Sequence, residues 1–145
     1  MVRLPSSGLT ISQGLYDEIV AHALAEAPNE CCGIVASVDG EAVRVFAAKN
    51  AAASPLRYVM DGDDQNRIHN EIEAQKWDYG AIYHSHTRSA PYPSQTDINL
   101  AVIPKFGPVW PGSIYIIIGL ATAEPEVRAF RIESKTPEEV ALSVV

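Results

Sequence analysis

Cysteine is scarce in this sequence of 145 residues, and the two that occur, Cys31 and Cys32, are neighbours. Adjacent cysteines can hardly form a framework disulfide, and the chain has no C-x-x-C pair of the kind that holds structural zinc. At the start of an apolar segment, cysteine is most often a small buried residue. We therefore expect two buried thiols in a protein of the reducing cytoplasm.

Long apolar runs and clusters of positive charge are also lacking. The longest apolar run, "SIYIIIGLATA", is too short to span a bilayer, and the N-terminal "MVRLPSSGLTISQG" lacks the uninterrupted apolar core of a signal peptide. Eleven Lys and Arg stand against eighteen Asp and Glu, which gives a net charge of -7. Such a chain is a poor candidate for binding a phosphate backbone. We expect a cytoplasmic protein with neither a membrane nor a nucleic acid as its partner.

What is present indicates one folded domain over residues 1–145. Hydrophobic residues make up 47% and charged residues 20%, proportions that are ordinary for a globular protein of this length. Ser12 and the "DGDD" segment are expected helix caps, and Asp39-Gly40 is a hairpin turn.

The periodicity of apolar residues predicts the order of the elements. Helices are expected in "SQGLYDEIVAHALAEAPNE", "DDQNRIHNEIEAQKW" and "QTDINLAVI", and strands in "CCGIVASV", "EAVRVFAA", "RYVMD", "YGAIYHSH", "SIYIIIGL" and "EVRAFRIE". The final "EEVALSVV" fits a helix or a strand. The mixture predicts an α+β (α/β layered) fold, in which helices flank a central sheet that is mostly antiparallel or mixed.

Residues that could bind a metal or take part in catalysis are concentrated in "YHSHTRSAPYPSQTD", residues 83–97. His84 and His86 are two apart on a predicted strand, so their side chains share one face. Ser94 is a natural N-cap, and a carboxylate at Asp97, in the first helical turn, is favoured by the helix dipole. The plain interpretation is a capping box beside two polar strand residues.

A metal site is the alternative interpretation, because the intervening loop can fold Asp97 back against the two histidines. Two imidazoles and one carboxylate would hold one zinc ion and leave the fourth position open to a bound water, as catalytic zinc requires. Hydrolysis also needs a proton shuttle outside the ligand set. Glu30, at the mouth of an apolar strand, is the best placed, although spacing alone leaves Glu18, Glu26 and Glu41 open.

The complete pattern resembles the JAMM (JAB1/MPN/Mov34, or MPN+) metalloprotease motif. Glu30 precedes a "CGIV" strand, and "HSH", seven residues, Ser94 and Asp97 follow downstream. The resemblance extends along nearly the whole chain and implies a JAMM or cytidine-deaminase-like layered architecture. It implies His84, His86 and Asp97 as zinc ligands. It further implies Glu30 as the acid/base catalyst and Ser94 as a hydrogen-bond donor to the developing oxyanion.

Members of this family are zinc-dependent hydrolases that cut peptide or isopeptide bonds after the C-terminal glycine of ubiquitin or ubiquitin-like proteins. The segments "YHSHT" and "YPSQTD" are similar to those of stand-alone bacterial members that release cysteine from a sulfur-carrier protein, and the chain has no room for the insertions with which eukaryotic members bind ubiquitin chains. The resemblance therefore implies a partner with a C-terminal Gly-Gly tail and a place in cysteine biosynthesis. The oligomeric state is left open, with a homodimer among the options.

Two other functions remain open on the same fold. One is a catalytically silent scaffold or binding module. The presence of all five polar residues of the motif argues against it. The other is a deubiquitinase-like isopeptidase with a different substrate. Outside the motif, Asn50 is interpreted as a turn residue, and His22 and His69 as histidines with ordinary partners.

Overall fold

Ten strands and three helices make up residues 8–145, the part of the chain that the computed structural model describes. The helices are α1 (Gln13–Glu26), α2 (Gly62–Gln75) and α3 (Gln95–Ala101). The strands are β1 (Leu9–Ile11), β2 (Cys32–Val38), β3 (Glu41–Ala48), β4 (Asp78–His86), β5 (Val102–Ile103), β6 (Gly107–Pro108), β7 (Ile114–Gly119), β8 (Glu126–Arg131), β9 (Glu138–Val140) and β10 (Leu142–Val144). The expectation about a signal peptide falls partly on residues 1–7, outside the described residues. Within residues 8–145, no helix combines the length and apolarity needed to cross a membrane.

Eight strands form one mixed sheet in the order β10-β1-β3-β2-β4-β7-β8-β9, and β5 pairs with β6 in a separate hairpin. Strand β2 runs antiparallel to both β3 and β4, whereas β4 runs parallel to β7. The outermost strands β9 and β10 are separated in the chain by Ala141 alone. The sheet therefore curls until its two ends approach each other, and β4 lies near its middle.

The two faces of the sheet carry different cores, and β4 contributes to both. Helix α1 covers one face, where its Ile19 belongs to the same core as Tyr83 of β4. Helix α3 covers part of the other face, in a core that contains Ile82 of β4. Because side chains alternate along a strand, His84 and His86 lie on the same face as Ile82.

Several local signals have the predicted outcome. The Ser12 hydroxyl accepts a hydrogen bond at 3.2 Å from a backbone N–H three residues on, at the start of α1. The Asp61 carboxylate accepts one at 3.0 Å at the start of α2. Asp39 and Gly40 have φ values of 51° and 81°, as a tight hairpin turn between antiparallel strands requires.

The predicted strand in "RYVMD" is wrong. Residues 57–61 form no strand, and only an isolated bridge joins Asn50 to Met60. The Asn50 side chain takes up the backbone groups instead: Oδ1 accepts from the N–H of Ala52 and of Val59, each at 3.0 Å, and Nδ2 donates to the Arg57 carbonyl at 3.1 Å. Two backbone hydrogen bonds complete the bridge, from the Ala51 N–H to Val59 O at 2.7 Å and from the Asp61 N–H to Lys49 O at 2.9 Å, and the pairing extends no further. We refer to residues 50–60 as the Asn50 loop.

The undecided segment at the end of the chain forms β9 and β10, and β10 runs parallel to β1 with Leu142 opposite Leu9. Strand β1 itself was not predicted. The third helix ends at Ala101, two residues before the predicted end, because Val102 and Ile103 form β5. A three-residue strand such as β1 is stabilised by its neighbours in the sheet, which local sequence does not reveal.

Candidate metal centre

His84 and His86 lie at the carboxyl end of β4, at an interior position of the sheet. His84 is opposite Cys32 of β2 on one side and Ile117 of β7 on the other. Only 1% of His84 and 5% of His86 is exposed. Buried imidazoles need polar partners, since an unpaired polar group in the interior is costly.

Asp97 of α3 supplies the common partner. Its Oδ2 lies 3.1 Å from Nε2 of His84 and 3.0 Å from Nε2 of His86, and these nitrogens are 3.2 Å apart. The same oxygen accepts a hydrogen bond from the Ser94 N–H at 2.9 Å, while Ser94 Oγ accepts one from the Asp97 N–H at 3.1 Å. The capping box and the convergence on the histidines are therefore present together, and one carboxylate takes part in both.

The hydrogen bond made by His86 determines which of its nitrogens faces the cluster. Nδ1 lies 2.9 Å from the Ala90 carbonyl oxygen, which can only accept, so Nδ1 carries a proton. A neutral imidazole then turns the Nε2 lone pair towards Asp97. Lone pairs and a carboxylate oxygen at 3.0 to 3.2 Å repel one another unless a proton or a metal ion lies among them. Ligand atoms of a tetrahedral zinc ion are about 3.3–3.4 Å apart, so this donor set fits the ion.

Electrostatics at Asp97 favour a cation at the same place. Burial alone would raise the pKa of Asp97, but the hydrogen bonds with His84 and His86 hold it well below its usual range. For His86 the effects have the opposite sign. Burial lowers its pKa, but its hydrogen bonds with Asp97 and Ala90 outweigh that effect, so the pKa is raised overall. A buried carboxylate that stays ionised stabilises a proton or a metal ion beside it.

Glu30 lies beside this cluster. Continued two residues beyond the pair Cys32–His84, the register of β2 and β4 brings Glu30 opposite His86. Its backbone is held on both sides, since its N–H donates to Ser54 O at 2.9 Å and its carbonyl accepts from Asn50 Nδ2 at 3.0 Å. Burial raises the pKa of the Glu30 carboxyl to about 7, although the charge of His86 opposes the shift.

The other upstream glutamates that spacing left open are placed elsewhere. Glu26 ends α1, where its carboxylate lies 3.7 Å from Nε2 of His22. Glu18 lies on α1, and Glu41 starts β3 opposite Val38. Of the four candidates, Glu30 is therefore the one that the sheet brings to His84 and His86.

The two cysteines are free and buried. Burial raises the pKa of Cys31 to about 11 and that of Cys32 to about 12, so neither is a thiolate at neutral pH. Cys31 belongs to the core under α1, on the face away from the histidines. Cys32 Sγ lies 3.7 Å from the Lys49 carbonyl oxygen. The interpretation as small buried residues is confirmed.

The histidines outside the motif have partners, as expected. His22 Nδ1 lies 2.7 Å from the Tyr83 hydroxyl. His69 is hydrogen-bonded to the Tyr79 hydroxyl and stacked on that ring.

Tyr58 is the residue at this site that the sequence did not reveal. Its ring stacks on the imidazole of His84, with centroids 4.7 Å apart and planes 26° from parallel. A tyrosine in a segment interpreted as a strand carries no signal for such a contact, which depends on the fold of the Asn50 loop. The structure thus brings together the five predicted site residues and adds an aromatic ring to them.

Comparisons with known proteins agree with this arrangement. Residues 12–133 match the family described as prokaryotic homologs of the JAB domain. The chain is 32% identical over 142 residues to a CysO-cysteine peptidase of Mycobacterium tuberculosis, an alignment that covers 94% of this chain and 91% of that one. It is 35% identical over 122 residues to a desampylase of Haloferax volcanii, which covers 79% of this chain and 82% of the relative.

A solved structure supports the same architecture. The crystal structure of a JAB1/MPN domain protein from Archaeoglobus fulgidus matches with a TM-score of 0.62, over 96% of this chain and 99% of that one. The two sequences are 21% identical, so this likeness shows a shared fold alone.

Proposed function

Because the chain belongs to the prokaryotic homologs of the JAB domain, we propose that it is a zinc peptidase that cleaves after the C-terminal glycine of a ubiquitin-like or sulfur-carrier protein. The family, the α+β fold and the peptidase class predicted from the sequence are confirmed by the family match and the named relatives. The observation that carries the proposal is the convergence of two imidazole nitrogens and one carboxylate oxygen beside a buried glutamate.

In this proposal His84, His86 and Asp97 hold one zinc ion. When bound, the ion would act as a Lewis acid, which lowers the pKa of water and polarises the scissile carbonyl. The Ala90 carbonyl keeps His86 in the tautomer that leaves Nε2 free to bind. Asp97 contributes the negative charge, and its bond from the Ser94 N–H fixes which oxygen faces the histidines.

Glu30 is the proposed general base and acid. Its carboxylate takes the proton from the attacking water and later gives it to the leaving amine. In the metal-free protein burial raises the pKa of this carboxyl to about 7, and a group that titrates near neutral pH can both accept and return a proton. The hydrogen bonds from Asn50 and to Ser54 hold the backbone that carries it.

Ser94 is the proposed donor to the oxyanion. Its Oγ already accepts the Asp97 N–H, and acceptance uses a lone pair, so the hydroxyl hydrogen remains available for donation. The exposed position of Ser94 lets a substrate carbonyl reach it. Capping the helix and stabilising developing charge therefore use different atoms of one side chain.

For the substrate, we propose release of cysteine from the C-terminus of a sulfur carrier with a Gly-Gly tail, in a cytoplasmic pathway of cysteine biosynthesis. Support comes from the CysO-cysteine peptidase that aligns with 94% of this chain. The similarity to a desampylase favours a second candidate, an isopeptidase acting on another ubiquitin-like conjugate. We further propose that residues 1–145 form one catalytic domain.

The test is to incubate the zinc-loaded protein with a Gly-Gly-ended sulfur carrier that bears a C-terminal cysteine and to follow the carrier's mass. We expect the loss of one cysteine residue, blocked by a chelator and absent with Glu30→Gln. An unchanged carrier mass, with zinc bound, would contradict the cysteine-releasing function. Cleavage of an isopeptide-linked ubiquitin-like conjugate in a parallel reaction would then establish the second candidate.

A further inference from the structure

We propose that Tyr58 is a positioning residue of the metal centre, whose ring holds the imidazole of His84 in the orientation that metal binding requires. The inference rests on the proposed metal site and adds a residue to it. Tyr58 is not placed among the ligands or the proton-transfer groups. It acts through His84.

The two histidines are oriented by different means. His86 donates Nδ1–H to the Ala90 carbonyl at 2.9 Å, a hydrogen bond that fixes its tautomer and its ring plane. His84 Nδ1 has no hydrogen-bond partner. Among residues 8–145, it is the one buried side-chain nitrogen or oxygen that lacks such a partner. A metal-binding histidine nearly always has such a partner. Another contact must therefore restrict rotation of the His84 ring.

The contact with Tyr58 has the geometry to do so. The ring centroids lie 4.7 Å apart with planes 26° from parallel, an offset stack in the range of favourable aromatic pairs. Rotation of the imidazole about its Cβ–Cγ bond would drive one edge of the ring into the tyrosine ring. The stack thus limits the same rotation that a hydrogen bond limits in His86.

Tyr58 is itself held in place. Its neighbours on both sides are bound to the Asn50 side chain: Nδ2 donates to the Arg57 carbonyl at 3.1 Å, and Oδ1 accepts the Val59 N–H at 3.0 Å. The Tyr58 ring also packs against the core beneath α2, which includes Cys32. A ring fixed at its backbone and along its side can restrain a neighbouring ring.

The test compares zinc affinity in Tyr58→Leu and Tyr58→Phe, with the cobalt-substituted proteins examined by visible absorption. Tyr58→Leu removes the ring, and we expect zinc binding to weaken by about tenfold or more, the effect typical of losing a group that orients a ligand. We also expect an altered cobalt absorption band. Tyr58→Phe keeps the stack and should restore both zinc affinity and the cobalt band of the unmodified protein.

Tyr79→Leu is the matched control, because Tyr79 also stacks on a histidine, His69, with planes 19° from parallel. Among the residues that the structure describes, this pair belongs to no group of metal-ligating side chains. It should leave zinc affinity unchanged. Equal weakening by Tyr79→Leu and Tyr58→Leu would overturn the proposal, since loss of general packing would explain both. So would a Tyr58→Leu protein with unchanged zinc affinity and cobalt band.

Circular dichroism of the metal-free variants comes first. If Tyr58→Leu does not fold, Tyr58→Met takes its place, since methionine fills irregular space without a ring, and the same two outcomes decide. Failure of the unmodified protein to bind zinc would instead refute the proposed function, so the two failures are distinguishable.

Discussion

Two polar clusters lie on opposite faces of β4 and use the same residue types in different arrangements. On the α1 face, His22 Nδ1 lies 2.7 Å from the Tyr83 hydroxyl, and its Nε2 lies 3.7 Å from Glu26. On the other face, His84 and His86 both direct Nε2 at one oxygen of Asp97.

The difference lies in whether donors meet acceptors. A hydroxyl both donates and accepts, so the Tyr83–His22 pair is complete in either tautomer of the imidazole, without any further group. Around Asp97, two ring nitrogens and a carboxylate oxygen converge, and a positive charge among them relieves the repulsion. Residue types alone do not separate a structural histidine from a ligand, whereas the direction of the lone pairs does.

Removing the carboxylate on which the two histidines converge should have the largest effect on metal binding and activity. Asp97→Ala deletes a proposed ligand and the capping-box acceptor, so we expect loss of bound zinc and no detectable turnover. Zinc content measured by mass spectrometry and a peptidase assay check this. Glu26→Ala, the carboxylate change on the other face, should leave both values unchanged. Full zinc content in Asp97→Ala would refute the ligand assignment.

Glu30→Gln should separate metal binding from catalysis. The amide keeps the size of the side chain but cannot accept the proton, so turnover should fall by about 10²- to 10⁴-fold, the usual effect of losing a general base. Zinc content should not change. Steady-state kinetics on the carrier substrate measure the loss, and a variant of near-normal activity would remove Glu30 from its proposed role.

The buried acid should also affect the stability of the metal-free protein. Burial raises the pKa of Glu30 from its ordinary 4.5 to about 7, so the folded protein binds this proton more tightly than the unfolded chain does. The stabilisation is complete below about pH 4.5 and is lost as the pH rises through about 7. Across that window the protein should lose about 1–3 kcal/mol relative to Glu30→Gln, whose side chain stays neutral. Urea unfolding at several pH values measures this difference, and a difference independent of pH would contradict it.

The smallest effect is expected on the α1 face. Tyr83→Phe removes the hydroxyl that is hydrogen-bonded to His22, which should lower the free energy of unfolding by about 0.5–1.5 kcal/mol. Zinc content and turnover should stay the same, because this cluster is complete in itself. Chemical denaturation and a zinc assay on the same preparation check both parts. Any loss of zinc would show that the two faces are not independent.

The convergence of the three proposed ligands could be predicted from the sequence because their spacing is short. A two-residue step on a strand puts His84 and His86 on one face, and the short loop that follows can bring Asp97 back against them. Glu30 is different, since spacing left three other glutamates open and the register of β2 against β4 is needed to select it. That register joins residues more than forty positions apart in the chain, so local patterns do not contain it.

The Asn50 loop shows where sequence reasoning failed. Alternating apolar residues in "RYVMD" favour a strand, but the Asn50 side chain binds the backbone of Arg57 and Val59. Pairing with the segment after β3 is therefore limited to a single bridge. A side chain that competes with strand pairing in this way is typical of asparagine. Tyr58 was overlooked for that reason, because its position over His84 follows from the loop and not from a motif.

The most direct test of the account is a crystal structure of the zinc-loaded protein with anomalous diffraction collected at the zinc edge. We expect one anomalous peak, within about 2.0–2.2 Å of Nε2 of His84, Nε2 of His86 and a carboxylate oxygen of Asp97. A peak beside His22 and Glu26, or no peak in zinc-loaded crystals, would contradict the claim that the converging lone pairs on this face of β4 form the metal centre.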